Sequence, residues 1–140
     1  MRRTQRDVPC VAAEIGLPHL VKLSAANARD DGVAPVLRWH AAIEAHLAAS
    51  SVVHTLLSPS TFADVLMLAA PSIRQNSQWS GSASQGRNAL IDSSDVVDAA
   101  VAILTDPAKR GRRLILTGPV AVTWTDVEVF FGKQVVAGTL

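Results

Sequence analysis

Residues 38–62 hold the side chains whose types and spacing could do chemistry. His40 lies on the apolar side of a predicted helix, and Pro59, Ser60 and Thr61 follow a short β-rich run. A histidine titrates near neutral pH and can donate a proton, but on an apolar stripe it can equally be a packed core residue. Hydroxyls after a strand can contact a ligand or cap the next helix. Both interpretations stay open for these residues.

A helix and a strand position this group. The helix is predicted over 35–49, where Val36, His40, Ile43 and Leu47 follow the 3.6-residue period of one face. The run 52–57 predicts a strand that is covered on both faces. A helix followed by such a strand is half of a βαβ crossover, and the ends of parallel strands are where such sheets bind ligands.

The rest of the chain repeats this alternation, which predicts an α/β fold with a mainly parallel sheet and flanking helices. We expect the strands at 19–24, 52–57 and 112–117 in one parallel sheet, with the helix at 35–49 packed on it. The other expected elements are a helix at 9–15 beginning at Pro9, a helix capped by Ser60 or Thr61 and ending near Pro71, a loop at 72–88, a strand at 88–91, a helix at 95–105, and a last helix capped by Thr123 and Asp126.

Composition excludes several classes of function. The 140 residues are 49% hydrophobic and 18% charged, too apolar for a disordered chain, and the net charge of +1 indicates no nucleic-acid partner. The longest uncharged run carries too many polar residues to span a membrane. Cys10 is the single cysteine and fits a reducing compartment, so we expect a cytoplasmic protein. His40, His46 and His54 lack the spacing of a metal site, so none is predicted.

An ordered set of segments resembles the NmrA-like proteins, atypical relatives of the short-chain dehydrogenases/reductases with a Rossmann-type NAD(P)-binding domain. The resemblance covers roughly residues 9 to 128. It rests on His40 with Glu44 four residues later, and on the segments Val21-Lys-Leu-Ser-Ala25, Thr55-Leu-Leu-Ser-Pro-Ser-Thr-Phe62, Leu90-Ile-Asp-Ser-Ser-Asp-Val96 and Leu116-Thr-Gly-Pro119.

The resemblance implies that residues 1–140 are a single domain, the C-terminal portion of such a protein. A dinucleotide-binding half opens with a strand and a Gly-x-Gly-x-x-Gly turn that cradles the pyrophosphate. None of the eight glycines forms that pattern. We therefore expect a partial Rossmann-like sheet that lacks the N-terminal Gly-rich βαβ half, and weak or absent NAD(P)H binding by the chain alone.

The resemblance also implies roles for individual residues. His40 and Glu44 stand where ordinary relatives carry the Tyr and Lys of a catalytic pair, so His40 is the candidate proton donor, while Glu44 cannot replace a cation. Glu44 is expected to be solvated or paired with His40. The candidate cofactor-binding residues are Ser24, Ala25, Pro59, Ser60, Thr61 and Phe62. Position 58 is a serine where an arginine usually precedes the proline.

The implied activity of an intact protein is NAD(P)H-dependent reduction of a small quinone-like or carbonyl substrate. Two alternatives remain, a regulator that senses NADP(H) without turnover and an inactive truncated remnant. A sheet edge next to the strand at 19–24 would stay unpaired in this chain, so we also expect self-association there.

Overall fold

The computed structural model describes residues 2–76 and 86–131. No helix of this part of the chain is both long and apolar enough to cross a membrane. The elements in chain order are α1 (Arg2–Glu14), β1 (Leu20–Leu23), α2 (Pro35–Ala48), β2 (His54–Pro59), α3 (Val65–Asn76), β3 (Arg87–Asn88), α4 (Ser93–Thr105), a 3₁₀ turn (Pro107–Lys109), β4 (Arg113–Leu116), β5 (Val122–Thr123) and α5 (Trp124–Phe131).

The chain divides into two compact units. The first comprises Met1–Pro59 and Ser94–Leu116, and the second comprises Ser60–Ser93 and Thr117–Leu140. That residues 1–140 form a single domain, the C-terminal portion of a larger one, stays a prediction.

A parallel three-stranded sheet forms the centre of the first unit. Its order is β1-β2-β4, with Leu20 opposite His54 and Leu57 opposite Leu114. Neighbouring parallel strands need a crossover connection, which α2 supplies between β1 and β2. The structure thereby confirms the α/β class and the prediction that these three strands share one parallel sheet.

β2 lies two residues later than the predicted 52–57. The difference arises from a turn after α2 that occupies the first predicted residues. The Ser50 hydroxyl donates to the carbonyl of Leu47 at 2.7 Å and accepts from the N–H of Val52 at 3.4 Å. The strand then continues to Pro59, which is tolerated at the end of a strand although it donates no backbone hydrogen bond.

Two helices continue through prolines that were predicted to limit them. α1 begins at Arg2 instead of Pro9, and α3 runs to Asn76 through Pro71. A proline removes one hydrogen bond and crowds the carbonyl four residues earlier, which makes it unfavourable inside a helix without forbidding it. Of the predicted loop at 72–88, residues 72–76 are therefore helical, and residues 77–85 lie outside the described part of the chain.

The second unit contains a short antiparallel pair. β3 pairs with β5, Arg87 opposite Thr123, and Phe62 forms a single parallel bridge with Ile91. The strand predicted at 88–91 is thus two residues of β3 followed by this bridge. α5 begins with the predicted capping box: the Thr123 hydroxyl accepts from the N–H of Asp126, whose carboxylate accepts from the N–H of Thr123 at 2.7 Å.

The core of the first unit depends on large aliphatic side chains. Leu57 on the central strand is 1% exposed, whereas Leu68 on α3 is 80% exposed. We predict that Leu57→Ala lowers the free energy of unfolding by about 2–5 kcal/mol, because it removes buried methyl groups and leaves a cavity. Leu68→Ala, the same change at an exposed site, should alter it by less than about 0.5 kcal/mol. Urea unfolding of the two variants checks this; equal losses would contradict it.

A buried histidine makes the stability of this unit depend on pH. His19 is 8% exposed and its Nε2 lies 2.8 Å from the hydroxyl of Thr55. Burial, with smaller effects of the charges on Arg110 and His54, lowers the pKa of His19 from its ordinary value of 6.5. The unfolded chain therefore takes up this proton first, and stability present above pH 6.5 is lost as the pH falls below it.

We predict a lower thermal midpoint at about pH 5.5 than at about pH 7.5, because protons bind the unfolded chain more tightly. His19→Gln, which cannot titrate, should reduce this difference, and the same change at the exposed His46 should leave it as it is. Thermal unfolding of the three proteins at both pH values makes the measurement. Equal pH dependence in the wild type and in His19→Gln would contradict it.

Candidate active site

Polar side chains of β1 and α2 meet in the first unit. Side chains alternate along a strand, so Lys22 and Ser24, two residues apart, are directed to the same face of the sheet. On that face Lys22 meets His40 of α2, and Ser24 meets Glu44, which lies one helical turn after His40. The order helix, strand, loop that the sequence predicted thus produces a row of two polar contacts.

His40 contacts the amine of Lys22. Its Nδ1 lies 2.9 Å from Nζ of Lys22, which also donates to the carbonyl of Leu23 at 3.1 Å. Burial lowers the pKa of His40 and the neighbouring positive charge of Lys22 lowers it further, while Glu44 opposes both. Burial also lowers the pKa of Lys22, against an opposing effect of Glu44. Both bases are therefore shifted toward their neutral forms.

Glu44 is neither solvated nor paired with His40, contrary to both expectations. Its side chain is 11% exposed and lies between two donors. The hydroxyl of buried Ser24 donates to one carboxylate oxygen, and the guanidinium of Arg113 donates to the other at 2.7 Å. An ion pair with partly exposed Arg113 and a hydrogen bond to Ser24 satisfy the carboxylate, which leaves His40 to Lys22.

The loop after β1 contacts the last residue of β2 and the first residue of β4. The guanidinium of Arg113 donates to the carbonyl of Ala25 at 3.4 Å, and the N–H of Ala26 donates to the carbonyl of Pro59 at 2.9 Å. Three of the predicted cofactor-binding residues, Ser24, Ala25 and Pro59, thus lie together at the carboxyl ends of parallel strands.

The remaining predicted residues belong to the second unit. The Ser60 hydroxyl donates to the carbonyl of Ala89, and the Thr61 hydroxyl donates to the side chain of Asn88 at 3.2 Å. Neither caps α3, because a turn separates them from its start at Val65. The capping prediction for these two residues is wrong; their contact with a cofactor, and that of Phe62, stay predictions.

A cleft of about 270 Å³ adjoins His40. Apart from Lys22 and His40 themselves, its walls are apolar, contributed by α1, β1 and α2. Such a cleft, with few polar groups, suits a small and largely apolar ligand. Its lining residues are Val8, Pro9, Leu20, Val21, Lys22, Leu23, His40, Ile43 and Leu47.

Sequence reasoning missed the two cations of this site. Lys22 was used only as part of the segment Val21-Lys-Leu-Ser-Ala25, and no role was predicted for it from the sequence. A lysine inside an otherwise apolar strand indicates that its amine has a partner in the folded protein. Arg113 was not singled out as a site residue, yet it opens β4 and reaches Glu44 across 69 positions of sequence. Nothing local in the sequence indicates that second contact.

Similarity to known proteins was found in both sequence and structure, although no protein-family model matches the chain. The chain is 26% identical over 116 residues to an NAD(P)H azoreductase of Xenophilus azovorans, which spans 83% of this chain and 41% of the azoreductase. It is 32% identical over 117 residues to a (4-alkanoyl-5-oxo-2,5-dihydrofuran-3-yl)methyl phosphate reductase of Streptomyces griseus, spanning 83% of this chain and 42% of that protein.

Solved structures match a larger part of the chain. An NADPH-dependent quinone oxidoreductase of Escherichia coli, complexed with NADPH, has a TM-score of 0.84 and 26% identity over 97% of this chain and 49% of its own. A nucleoside-diphosphate-sugar epimerase of Staphylococcus aureus has a TM-score of 0.85 and 16% identity over 97% of this chain and 50% of its own, a likeness of fold alone.

The chain spans less than half the length of the curated relatives it matches and about half of the solved structures. This partial coverage agrees with a partial Rossmann-like sheet. The resemblance to the NmrA-like family is thereby confirmed: the chain is similar, over about half of their length, to Rossmann-type NAD(P)-dependent reductases and epimerases.

Proposed function

We propose that the chain is part of an NAD(P)H-dependent oxidoreductase whose substrate is a small carbonyl or quinone-like molecule. The contact between His40 and Lys22 beside an apolar cleft is the observation that carries the proposal. It places an imidazole, a group that can donate or accept a proton, beside a cleft and close to the carboxyl end of β1, and α/β sheets bind ligands at such strand ends. The 26% sequence identity to an NADPH-dependent quinone oxidoreductase supports the same proposed function.

The proposed roles fall to the cofactor and to named residues. NAD(P)H, when bound, supplies a hydride to the substrate carbon. Ser24, Ala25 and Pro59 are proposed to contact the nicotinamide side of the cofactor, and contact of Ser60, Thr61 and Phe62 with the cofactor is a separate proposal that follows from the family resemblance. His40 is the group proposed to face the substrate oxygen, because it lines the cleft. The pyrophosphate would need a glycine-rich turn, and the printed sequence holds no Gly-x-Gly-x-x-Gly.

A chimeric protein tests this function. The chain would replace the segment that it matches in the E. coli quinone oxidoreductase, whose other half supplies the remaining sheet. We predict that the chimera oxidises NADPH with a quinone, and that His40→Ala lowers kcat by about 10²–10⁴-fold with a smaller effect on KM, because it removes a group acting in the transition state. Steady-state kinetics with 1,4-benzoquinone measures both constants.

His46→Ala is the matched control, since His46 lies exposed in the last turn of the same helix.

The isolated chain should show no turnover because it should bind NAD(P)H too weakly. A few hydrogen bonds to the cofactor, of about 0.5–1.5 kcal/mol each, do not offset a cost of association of at least ~4 kcal/mol. A folded chimera that binds NADPH but never turns over would favour a cofactor sensor. Unchanged kcat in His40→Ala would overturn the role of His40.

We also propose that the isolated chain self-associates through the free edge of β1. The N–H of Leu20 donates to the carbonyl of Val53, just before β2, and that of Ser24 donates to Leu57 of β2. Val21 and Leu23 therefore direct their N–H groups to the opposite side, and Leu23 is 51% exposed. No strand among the described residues pairs with that side. An unpaired edge of this kind is a template for a second chain.

We predict that sedimentation of the chain depends on its concentration, and that Leu23→Lys weakens this dependence because charge on an edge strand opposes pairing. Val33→Lys, the same charge change at a loop residue that is 89% exposed, serves as the control. Sedimentation velocity over a hundredfold range of concentration makes the test. A single monomeric species throughout would refute the proposal.

A further inference from the structure

The contact between Lys22 and His40 determines which nitrogen of the imidazole carries a proton. An ammonium group has three donors and no acceptor. Nζ of Lys22 lies 2.9 Å from Nδ1 of His40 and donates another N–H to the carbonyl of Leu23. Nδ1 must then accept, so the imidazole proton sits on Nε2. Among residues 2–76 and 86–131 the structure gives Nε2 no hydrogen-bond partner.

The same contact opposes a positively charged imidazole. A proton on Nδ1 would set two N–H donors against each other at 2.9 Å and place two cations side by side. The charged groups around His40 are Lys22 from β1 and Glu44 from α2, and Glu44 is already engaged by Ser24 and by Arg113 of β4. α1 contributes Val8 and Pro9 to the cleft. The lowered pKa of His40 agrees with this arrangement.

We propose that Lys22 and His40 form a proton relay, in which Lys22 holds His40 as the neutral Nε2–H tautomer and resupplies its proton. The relay would act on a carbonyl or quinone oxygen, and in this respect it rests on the proposed function. It specifies the form in which His40, the candidate proton donor, would donate: the neutral imidazole. Lys22 acts through His40 and is therefore a positioning residue.

The proton transfers balance as follows. Addition of a hydride, which NAD(P)H would supply while being oxidised to NAD(P)⁺, forms a C–H bond, breaks the C=O π bond and leaves two electrons on the oxygen. The Nε2–H proton of His40 passes to that oxygen as Nδ1 takes a proton from the Lys22 ammonium. The substrate gains one hydride and one proton, Lys22 becomes a neutral amine, and His40 becomes its Nδ1–H tautomer. Burial lowers the pKa of Lys22 and so makes the ammonium a better acid.

The tautomer can be tested on the 140-residue chain without cofactor or substrate. Long-range ¹H–¹⁵N NMR correlation distinguishes a protonated ring nitrogen from one that accepts. We expect His40 to be neutral at about pH 7.5 and to carry its proton on Nε2. A proton on Nδ1, or an imidazolium at this pH, would overturn the relay. This result does not depend on whether the protein is a reductase.

Two substitutions separate the charge of Lys22 from its bulk. Lys22→Met keeps an unbranched side chain without charge, and we expect the titration of His40 to move to higher pH because the neighbouring positive charge is gone. Lys22→Arg retains a donor and a charge, so we expect His40 to keep the Nε2–H tautomer. Titration of His40 at the same pH in the wild type and in a folded Lys22→Met would overturn the proposal.

The chimera adds a kinetic test of the resupplied proton. We expect kcat of the wild-type chimera to fall at alkaline pH as the Lys22 ammonium loses its proton. In the Lys22→Met chimera we expect a lower kcat that no longer falls over this alkaline range, so that the alkaline limb is absent. Binding of NADPH should be unchanged, which separates the relay from cofactor affinity. An alkaline limb that persists unchanged in Lys22→Met would overturn the relay, while an inactive wild-type chimera would count against the proposed function alone.

Discussion

The parallel pairing of β1 with β2 is the constraint on which the rest of the site depends. In this register Lys22 lies opposite Leu56, and the N–H of Ser24 reaches the carbonyl of Leu57 at 2.6 Å. Side chains alternate along a strand, so a slip of one residue would turn both Lys22 and Ser24 to the other face of the sheet. The contacts with α2 therefore follow from the backbone register before any side chain is considered.

Elements set by periodicity and by cap chemistry could be predicted from the sequence. The 3.6-residue stripe through His40 and Leu47 gave α2 nearly residue for residue, and the spacing of Thr123 and Asp126 gave the start of α5. Prolines were weaker guides, since a preference against Pro71 inside a helix does not exclude it. Periodicity and capping patterns predict an element accurately where one short segment of sequence determines its bounds.

The site was only half predictable because its contacts join distant segments. His40 could be named from its place on one face of a predicted helix, and Ser24 from the family resemblance. The partners that decide their chemistry, Lys22 and Arg113, depend on which strands become neighbours and on how far long side chains reach. Ordinary relatives carry a lysine at the position of Glu44, four residues after the catalytic position. In this chain the cation beside His40 is Lys22 of β1 instead. The positive charge is therefore near His40 in the structure although the sequence pattern around His40 does not contain it.

Gly118 carries a consequence for how freely the second unit can change in evolution. A Cβ at this position would lie 1.9 Å from the carbonyl oxygen of Leu90, a backbone atom that no side-chain rotation can move away. Every other amino acid would have to push two chain segments apart. Position 118 should therefore be among the least variable in a random mutant library, for a reason unconnected with catalysis, and its constancy in such a library would report backbone proximity alone.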